Sequence, residues 1–313
     1  MKIATVRYQG QLRVGVVDGG SVTLLAPTIT TLDLLCAGAD ERDALAARHG
    51  TDRVALDDVA LRSPVKPGCM RDFVSFERHV EGAARAVEGK DGVPAQWYEG
   101  PTMLFMNPHS AIGSGEAVEI PPGALAMDYE LEVGAVIGRD GRNLTPEQAA
   151  EHIVGYTICN DWSARDLQSR EMKMGLGPAK GKDFATTLGP WIVTTDELEA
   201  HRVGDRLDLA MSVSLNGIEM GADRLANMAW SFEELVAYAT RGAWVRAGDV
   251  LASGTCSGGA LAEAWGRTGT QLPPPLQAGD VVTMTVEGIG AITNSLVAGP
   301  SEASPIPPAR RLG

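Results

Sequence analysis

Met127-Asp128-Tyr129-Glu130-Leu131-Glu132-Val133-Gly134-Ala135-Val136-Ile137-Gly138 is an apolar run that carries Glu130 and Glu132 two positions apart. Successive side chains of a strand point to opposite faces, so residues i and i+2 share one. Tyr129, Leu131, Val133, Ala135 and Ile137 then form an apolar face, and Glu130 and Glu132 stand side by side on the other. Two like charges in so apolar a strand are costly unless something positive lies between them. A divalent cation with oxygen ligands meets that need. A solvated strand face is the plainer alternative.

The next apolar segment supplies a third carboxylate. Val154 to Cys159 reads as a buried strand that breaks at Asn160-Asp161. Ser163-Ala164-Arg165-Asp166 matches a capping box that opens a helix to about Met172. With Ser163 as the cap, Asp161 is free to join Glu130 and Glu132. Three carboxylates suit Mg²⁺ or Mn²⁺, with Ca²⁺ also accommodated, and not zinc, which prefers nitrogen and sulfur. Such a site keeps one negative charge, and Arg165 and Lys182 are the cations placed to offset it.

Toward the N-terminus, Lys2 to Tyr8, Arg13 to Val17 and Ser21 to Leu25 are short β-prone runs split by glycine turns. Thr31 to Leu35 and Glu41 to Arg48 read as helices. The proline-punctuated stretch Arg62 to Gly68 marks a boundary. The chain therefore reads as a small β-rich domain over residues 1–62, a large domain over 65–298 and a mobile tail over 299–313. Phe76 to Val87 has helical spacing, with Phe76, Val80, Ala83, Ala84 and Val87 on one side. Residues 101 to 121 are β-like. Thr145 to His152 is a helix opened by Thr-Pro-Glu-Gln. Asp208 to Leu215 is a strand turning at Asn216-Gly217, and Phe232 to Thr240 is helical. The expected class is α+β, mainly β.

Composition narrows the function. The 313 residues include 37 Gly and 18 Pro with 5% aromatics, a mix that favours turns and short strands over a helix bundle. A net charge of −13 repels nucleic acid and anionic membrane. Cys36, Cys69, Cys159 and Cys256 are scattered, so buried thiols are expected rather than disulfides or a zinc site. No leader-like apolar core or run of ~18 apolar residues occurs, which points to a cytoplasmic protein. His49, His152 and His201 fall in polar surroundings and read as surface residues.

Several segments together resemble the signature of the fumarylacetoacetate hydrolase superfamily. They are Tyr129-Glu130-Leu131-Glu132, the stretch Gly155-Tyr156-Thr157-Ile158-Cys159-Asn160-Asp161-Trp162-Ser163-Ala164-Arg165-Asp166-Leu167-Gln168, the stretch Gly181-Lys182-Asp183-Phe184-Ala185-Thr186-Thr187-Leu188-Gly189-Pro190-Trp191, and Gly279-Asp280-Val281-Val282. They occur in the family's order over about residues 65 to 298. The resemblance implies a mixed β-roll or sandwich catalytic domain behind a small β-rich domain. It also implies a homodimer, a small keto or diketo acid substrate, and a divalent metal on Glu130, Glu132 and Asp161. Lys182 takes the position of an active-site lysine, with Thr186 in the same surroundings. Gln168 and Thr255 face substrate, and Arg165 lies beside them.

Asp72 and His79 are similar in spacing to a family pair in which the Asp is a fourth metal ligand. The His of that pair, oriented by a Glu matching Glu263, activates water. Val74, Phe105 and Met172 stand where the fumarylacetoacetases of the family have substrate-binding tyrosines, so the pocket here is more apolar and the substrate carries fewer carboxylates. The implied activity is metal-dependent hydrolysis of a carbon–carbon bond in a β-diketone or acylpyruvate acid, with Lys182 and Gln168 on the oxyanion. Oxaloacetate-type decarboxylation, hydration or isomerisation through an enolate are the alternatives on the same scaffold. A silent binding protein is the reading from another class, and the intact Glu130, Glu132, Asp161 and Lys182 set opposes it.

Overall fold

A computed structural model describes residues 1–89 and 91–311. The run that opens the sequence argument forms the strand Leu131–Ile137 at the middle of a 12-stranded mixed sheet. Every residue of this strand is buried, on both faces. Leu131, Val133, Ala135 and Ile137 enter the larger core, which also holds Met211, Val213, Val282, Met284 and Ile292 from a second, five-stranded sheet. Val136, on the opposite face, packs with Met70, Cys159, Leu188, Leu34 and Leu35 in a smaller core. The period-2 reading of the sequence is thus realised as one strand shared by two cores. The architecture is α+β and mainly β.

The strand order explains how distant residues meet. Thr186–Thr194, Ile153–Asp161, Leu131–Ile137, Val250–Ala252 and Met70–Phe73 lie side by side in that order. Val250–Ala252 pairs parallel with Met70–Phe73 and antiparallel with Leu131–Ile137. The N-terminal strands Lys2–Tyr8, Gln11–Asp18, Ser21–Leu25 and Gly50–Ala55 continue the same sheet, because Lys2 and Ile3 pair with Val193 and Ile192.

Three helices start at side-chain caps that the sequence provides. Thr30 with Asp33, Thr145 with Gln148 and Ser231 with Glu234 each form a reciprocal capping box. Two helices matter most for the site. Glu77–Glu88 is amphipathic and ends at Gly89, and Leu261–Thr268 packs along it.

Four local expectations are corrected. The strand Ile153–Asp161 does not break at Asn160-Asp161, since Asp161 stays in the ladder opposite Thr186. Ser163 is not a cap: the helix Arg165–Met172 begins after Ala164 without a side-chain cap, and Ser163 turns inward instead. His152 is buried, its Nδ1 3.0 Å from the Arg139 carbonyl. Of the cysteines, Cys159 and Cys256 are buried, but Cys69 is half-buried and Cys36 exposed. Residues 101–121 hold only the short strands Met103–Met106, Ala111–Ile112 and Val118–Glu119. Residues 301–311 are exposed and form no helix or strand. No helix among the described residues is long and apolar enough to cross a membrane.

Candidate active site

The face that carries Met70, Val136 and Cys159 into the smaller core also carries, at i+2 or i−4 along the same strands, Asp72, Glu132 and Asp161. The apolar packing therefore gives way to carboxylates at one end of the sheet. Asp72, Glu130 and Glu132 offer oxygens that lie within 4.8 Å of one another. Asp161 sits beside them, with the Lys182 ammonium between it and Glu130. That ammonium donates to Asp161 Oδ2 at 2.6 Å, to Ser163 Oγ at 2.9 Å and to Glu130. Arg165 donates from Nε to Asp128 at 2.9 Å, from Nη2 to Glu130 at 2.8 Å and from Nη1 to Gln168 Oε1 at 3.1 Å.

Charge and burial set the ionisation. Burial raises Asp72 and Glu132 well above the carboxylate range, and the neighbouring acids, Asp161 for the former and Asp72 for the latter, push the same way. Burial brings Asp161 up to about 6 against the pull of Lys182. Glu130 goes the other way: burial would raise it, but Arg165, Lys182 and His79 outweigh that and hold it well below the usual range. Burial likewise opposes the charge on Lys182, which Asp161 and Glu130 more than restore.

Three buried oxygens, Asp72 Oδ1, Glu132 Oε2 and Asp161 Oδ1, have no hydrogen-bond partner. An orphaned buried acceptor costs roughly 1–3 kcal/mol, more if charged. Five buried carboxylates, Asp72, Asp128, Glu130, Glu132 and Asp161, share the site with two buried cations, Arg165 and Lys182. Crowded hard oxygen donors that outnumber the cations beside them fit a divalent cation.

His79 is brought to this cluster by the helix Glu77–Glu88. Its Nδ1 lies 2.9 Å from Glu263 Oε1, while Glu263 Oε2 accepts the Gly258 N–H at 2.8 Å. A carboxylate at Nδ1 fixes the proton there and leaves Nε2 as the basic nitrogen. Nε2 is 3.7 Å from Glu130 Oε1. The two helices approach this closely because each carries a glycine three residues after its site residue. A Cβ on Gly266 would lie 2.1 Å from the Gly82 carbonyl oxygen, and one on Gly82 would lie 3.1 Å from Glu263 Cγ.

Thr255 donates to Glu132 Oε1 at 3.2 Å. Its loop passes behind Phe73 at Gly254, whose φ of 82° and tight contact with the Phe73 carbonyl leave no place for a side chain. Above the cluster opens a cavity of about 650 Å³ whose lining includes Asp72, His79, Glu130, Arg165, Gln168, Lys182, Thr255 and Phe105. Val74 and Met172, two of the positions read as tyrosine replacements, line it too. Glu132, Asp161 and Glu263 lie beneath, as the partners of Thr255, Lys182 and His79. Thr186 is buried opposite Asp161 on the next strand.

Two residues escaped the sequence reading. Ser163, assigned as a cap, accepts from Lys182. Asp128 is fully buried and accepts four bonds: from Arg165 Nε and from the N–H groups of Tyr129, Leu261 and Ala262. It caps, from a distant segment, the helix that carries Glu263. The signal lay in the opening run, where Asp128, Glu130 and Glu132 recur at successive i+2 positions.

Residues 68–297 match the model of the fumarylacetoacetate hydrolase C-terminal family, and the chain belongs to that family. Its relatives differ in reaction. A maleylpyruvate hydrolase of Aquipseudomonas alcaligenes is 30% identical over 90% of this chain and 95% of its own length. An oxaloacetate tautomerase of Bacillus subtilis is 28% identical over 79% of this chain and 76% of its own. Among solved structures, a fumarylacetoacetate hydrolase from psychrophilic Exiguobacterium antarcticum is 28% identical, covers 96% of this chain and 100% of its own, and superposes with a TM-score of 0.73. The chain is thus an enzyme of a family whose members act on small acids.

Proposed function

We propose that the protein is a divalent-metal-dependent hydrolase that cleaves a carbon–carbon bond in an acylpyruvate-type acid. The observation that carries this reading is His79 held at Nδ1 by Glu263, with Nε2 facing the carboxylate cluster and the cavity. Residues 65–298 are taken as the catalytic unit, acting as a cytoplasmic homodimer, an assembly that sedimentation would measure.

Asp72, Glu130, Glu132 and Asp161 would hold the metal. A divalent ion there supplies Lewis acidity that polarises substrate oxygens. His79 Nε2 takes a proton from water as the hydroxyl attacks the acyl carbonyl, and Glu263 supports the imidazolium that forms. The Gln168 amide has its oxygen anchored by Arg165, so its N–H groups are left to donate to the developing oxyanion. Lys182 was expected in that role. Its three protons are committed to Glu130, Asp161 and Ser163, so it serves as a fixed positive charge beneath the reacting oxygens. The carbon–carbon bond then breaks, its electron pair stays on the pyruvate side as an enolate, and His79 returns the proton to that carbon.

A second reading, tautomerisation of an oxaloacetate-like acid, is favoured by the Bacillus subtilis relative and would use the same His79 to move a proton between carbon and oxygen. Ligand cavities run from about 300 to 1,000 Å³, and 650 Å³ is ample for an acid longer than four carbons.

The test is loss of the enol absorbance of 2,4-diketo acids with Mg²⁺ or Mn²⁺, with oxaloacetate enol–keto exchange followed in parallel. His79→Ala should slow hydrolysis by roughly 10²–10⁴ and leave Mn²⁺ affinity unchanged. Full hydrolysis by that variant removes His79 as the base, and exchange with no hydrolysis in the unaltered enzyme moves the tautomerase reading ahead.

A further inference from the structure

The ionised groups around the cavity are unevenly placed. Asp72, His79, Glu130, Arg165 and Lys182 all belong to its floor. Both floor cations are already committed, Arg165 to Asp128, Glu130 and Gln168, and Lys182 to Glu130, Asp161 and Ser163. Above the floor the described lining residues include no Lys, Arg or His. The walls are Val80, Ala83, Trp97, Met103, Phe105 and Leu176 with their apolar neighbours, and Gln96 and Thr102 are neutral.

A carboxylate carried to the far end of a substrate would meet no counter-charge among these lining residues, and Arg71, behind Phe105, is buried and bonded to the Ala239 and Trp244 carbonyls. Removing a charge from water without a partner is strongly unfavourable. An uncharged tail is favoured for a second, independent reason. Phe105 and Leu176 line the mouth yet stand 70% and 89% exposed, so an apolar tail passing between them removes their surface from water together with its own.

We propose that the site takes 2-oxo acids with a single carboxylate, the oxo-acid head on the charged floor and an uncharged, apolar tail along the wall formed by Val80, Trp97, Met103 and Leu176. This rests on the proposed function only in placing the reacting end at the floor. It also separates the chain from a maleylpyruvate hydrolase, since maleylpyruvate is a diacid.

Binding of two inert probes tests it. Calorimetry with the Mn²⁺-supplemented protein compares 2-oxooctanoate with 2-oxooctanedioate, which differ only in the terminal carboxylate. Neither has the 4-oxo group, so neither can be cleaved. The monoacid should bind at least about tenfold tighter. Val80→Arg, and Leu176→Arg at an exposed position that does not burden folding, should each narrow that ratio by weakening the monoacid and strengthening the diacid. Equal or tighter binding of the diacid to the unaltered protein overturns the proposal. So does a ratio that neither arginine narrows. Absence of turnover with every 2,4-diketo acid would sink the hydrolase reading and leave this binding preference standing.

Discussion

Replacing Gly266 with alanine probes how the His79–Glu263 pair is set. The new Cβ would lie 2.1 Å from the backbone oxygen of Gly82. An unstrained C···O contact is about 3.3 Å or longer, and a backbone oxygen inside a helix cannot swing aside. The helices Glu77–Glu88 and Leu261–Thr268 must therefore part by about 1 Å. That carries Nδ1 of His79 and Glu263 from 2.9 Å out of hydrogen-bond reach. Overpacking of this kind costs roughly 1–3 kcal/mol, against about 1 kcal/mol recovered by replacing a helical glycine with alanine. Net stability should fall by up to about 2 kcal/mol. A misplacement near 1 Å can cost about 10² in rate, so kcat should fall by that order with KM little changed. Gly82→Ala is the graded control. Its Cβ meets Glu263 carbons at 3.1–3.2 Å, a crowding of tenths of an ångström. Its stability should stay within about 1 kcal/mol of the parent and its kcat should drop far less. Thermal melts and steady-state kinetics on a 2,4-diketo acid read both variants. A Gly266→Ala enzyme with parental kcat would refute the claim that this glycine contact positions the base.

The remaining predictions concern the charged floor. Glu132→Gln should raise the melting temperature of EDTA-treated protein, because it removes a buried acid crowded by Asp72, Glu130 and Asp161, and should abolish the Mn²⁺-induced rise. That rise corresponds to roughly 2.7 kcal/mol at a hundredfold excess over Kd, and its survival in the variant would remove Glu132 from the ligand set. Glu263→Gln should lower kcat less than His79→Ala does, with Mn²⁺ affinity unchanged by calorimetry; a loss equal to that of His79→Ala would mean Glu263 does more than orient. Asp128→Asn should lower unfolding free energy in urea by roughly 3–5 kcal/mol, the cost of unpairing a buried ion, and an unchanged midpoint would show that Arg165 and the helix end do not depend on it.

Much of this was legible locally. The alternation from Tyr129 to Ile137, the Thr-Pro-Glu-Gln opening at Thr145 and the amphipathic stretch after Phe76 are short-range patterns, and each became the element it implied. What escaped depended on distance or on competition. Asp128 bonds to Leu261 and Ala262, more than 130 residues away, and no local spacing announces such a contact. Ser163 matched a capping pattern, but a buried lysine ammonium is a stronger claim on a hydroxyl than a helix end with open alternatives. A strand break was read at Asn160-Asp161 because Asn-Asp is a turn signal, whereas pairing with Thr186 keeps Asp161 extended. The pairing of Lys2 and Ile3 with the strand Thr186–Thr194 is likewise a matter of topology that composition does not encode.

The contacts that leave Asp128 also return to it. They run through Arg165 to Glu130, across to His79, on to Glu263, and back along the helix whose first N–H groups Asp128 holds. In such a circuit each side chain is the condition on which its neighbours are tolerated, so the effect of one replacement depends on which others are present. Over evolutionary time these positions should behave as a single inherited block, reachable by few viable mutational orders. The walls around Val80 and Leu176 belong to no such circuit and are free to drift one residue at a time. New substrate preferences should therefore arise by change in the walls while the floor is passed on intact.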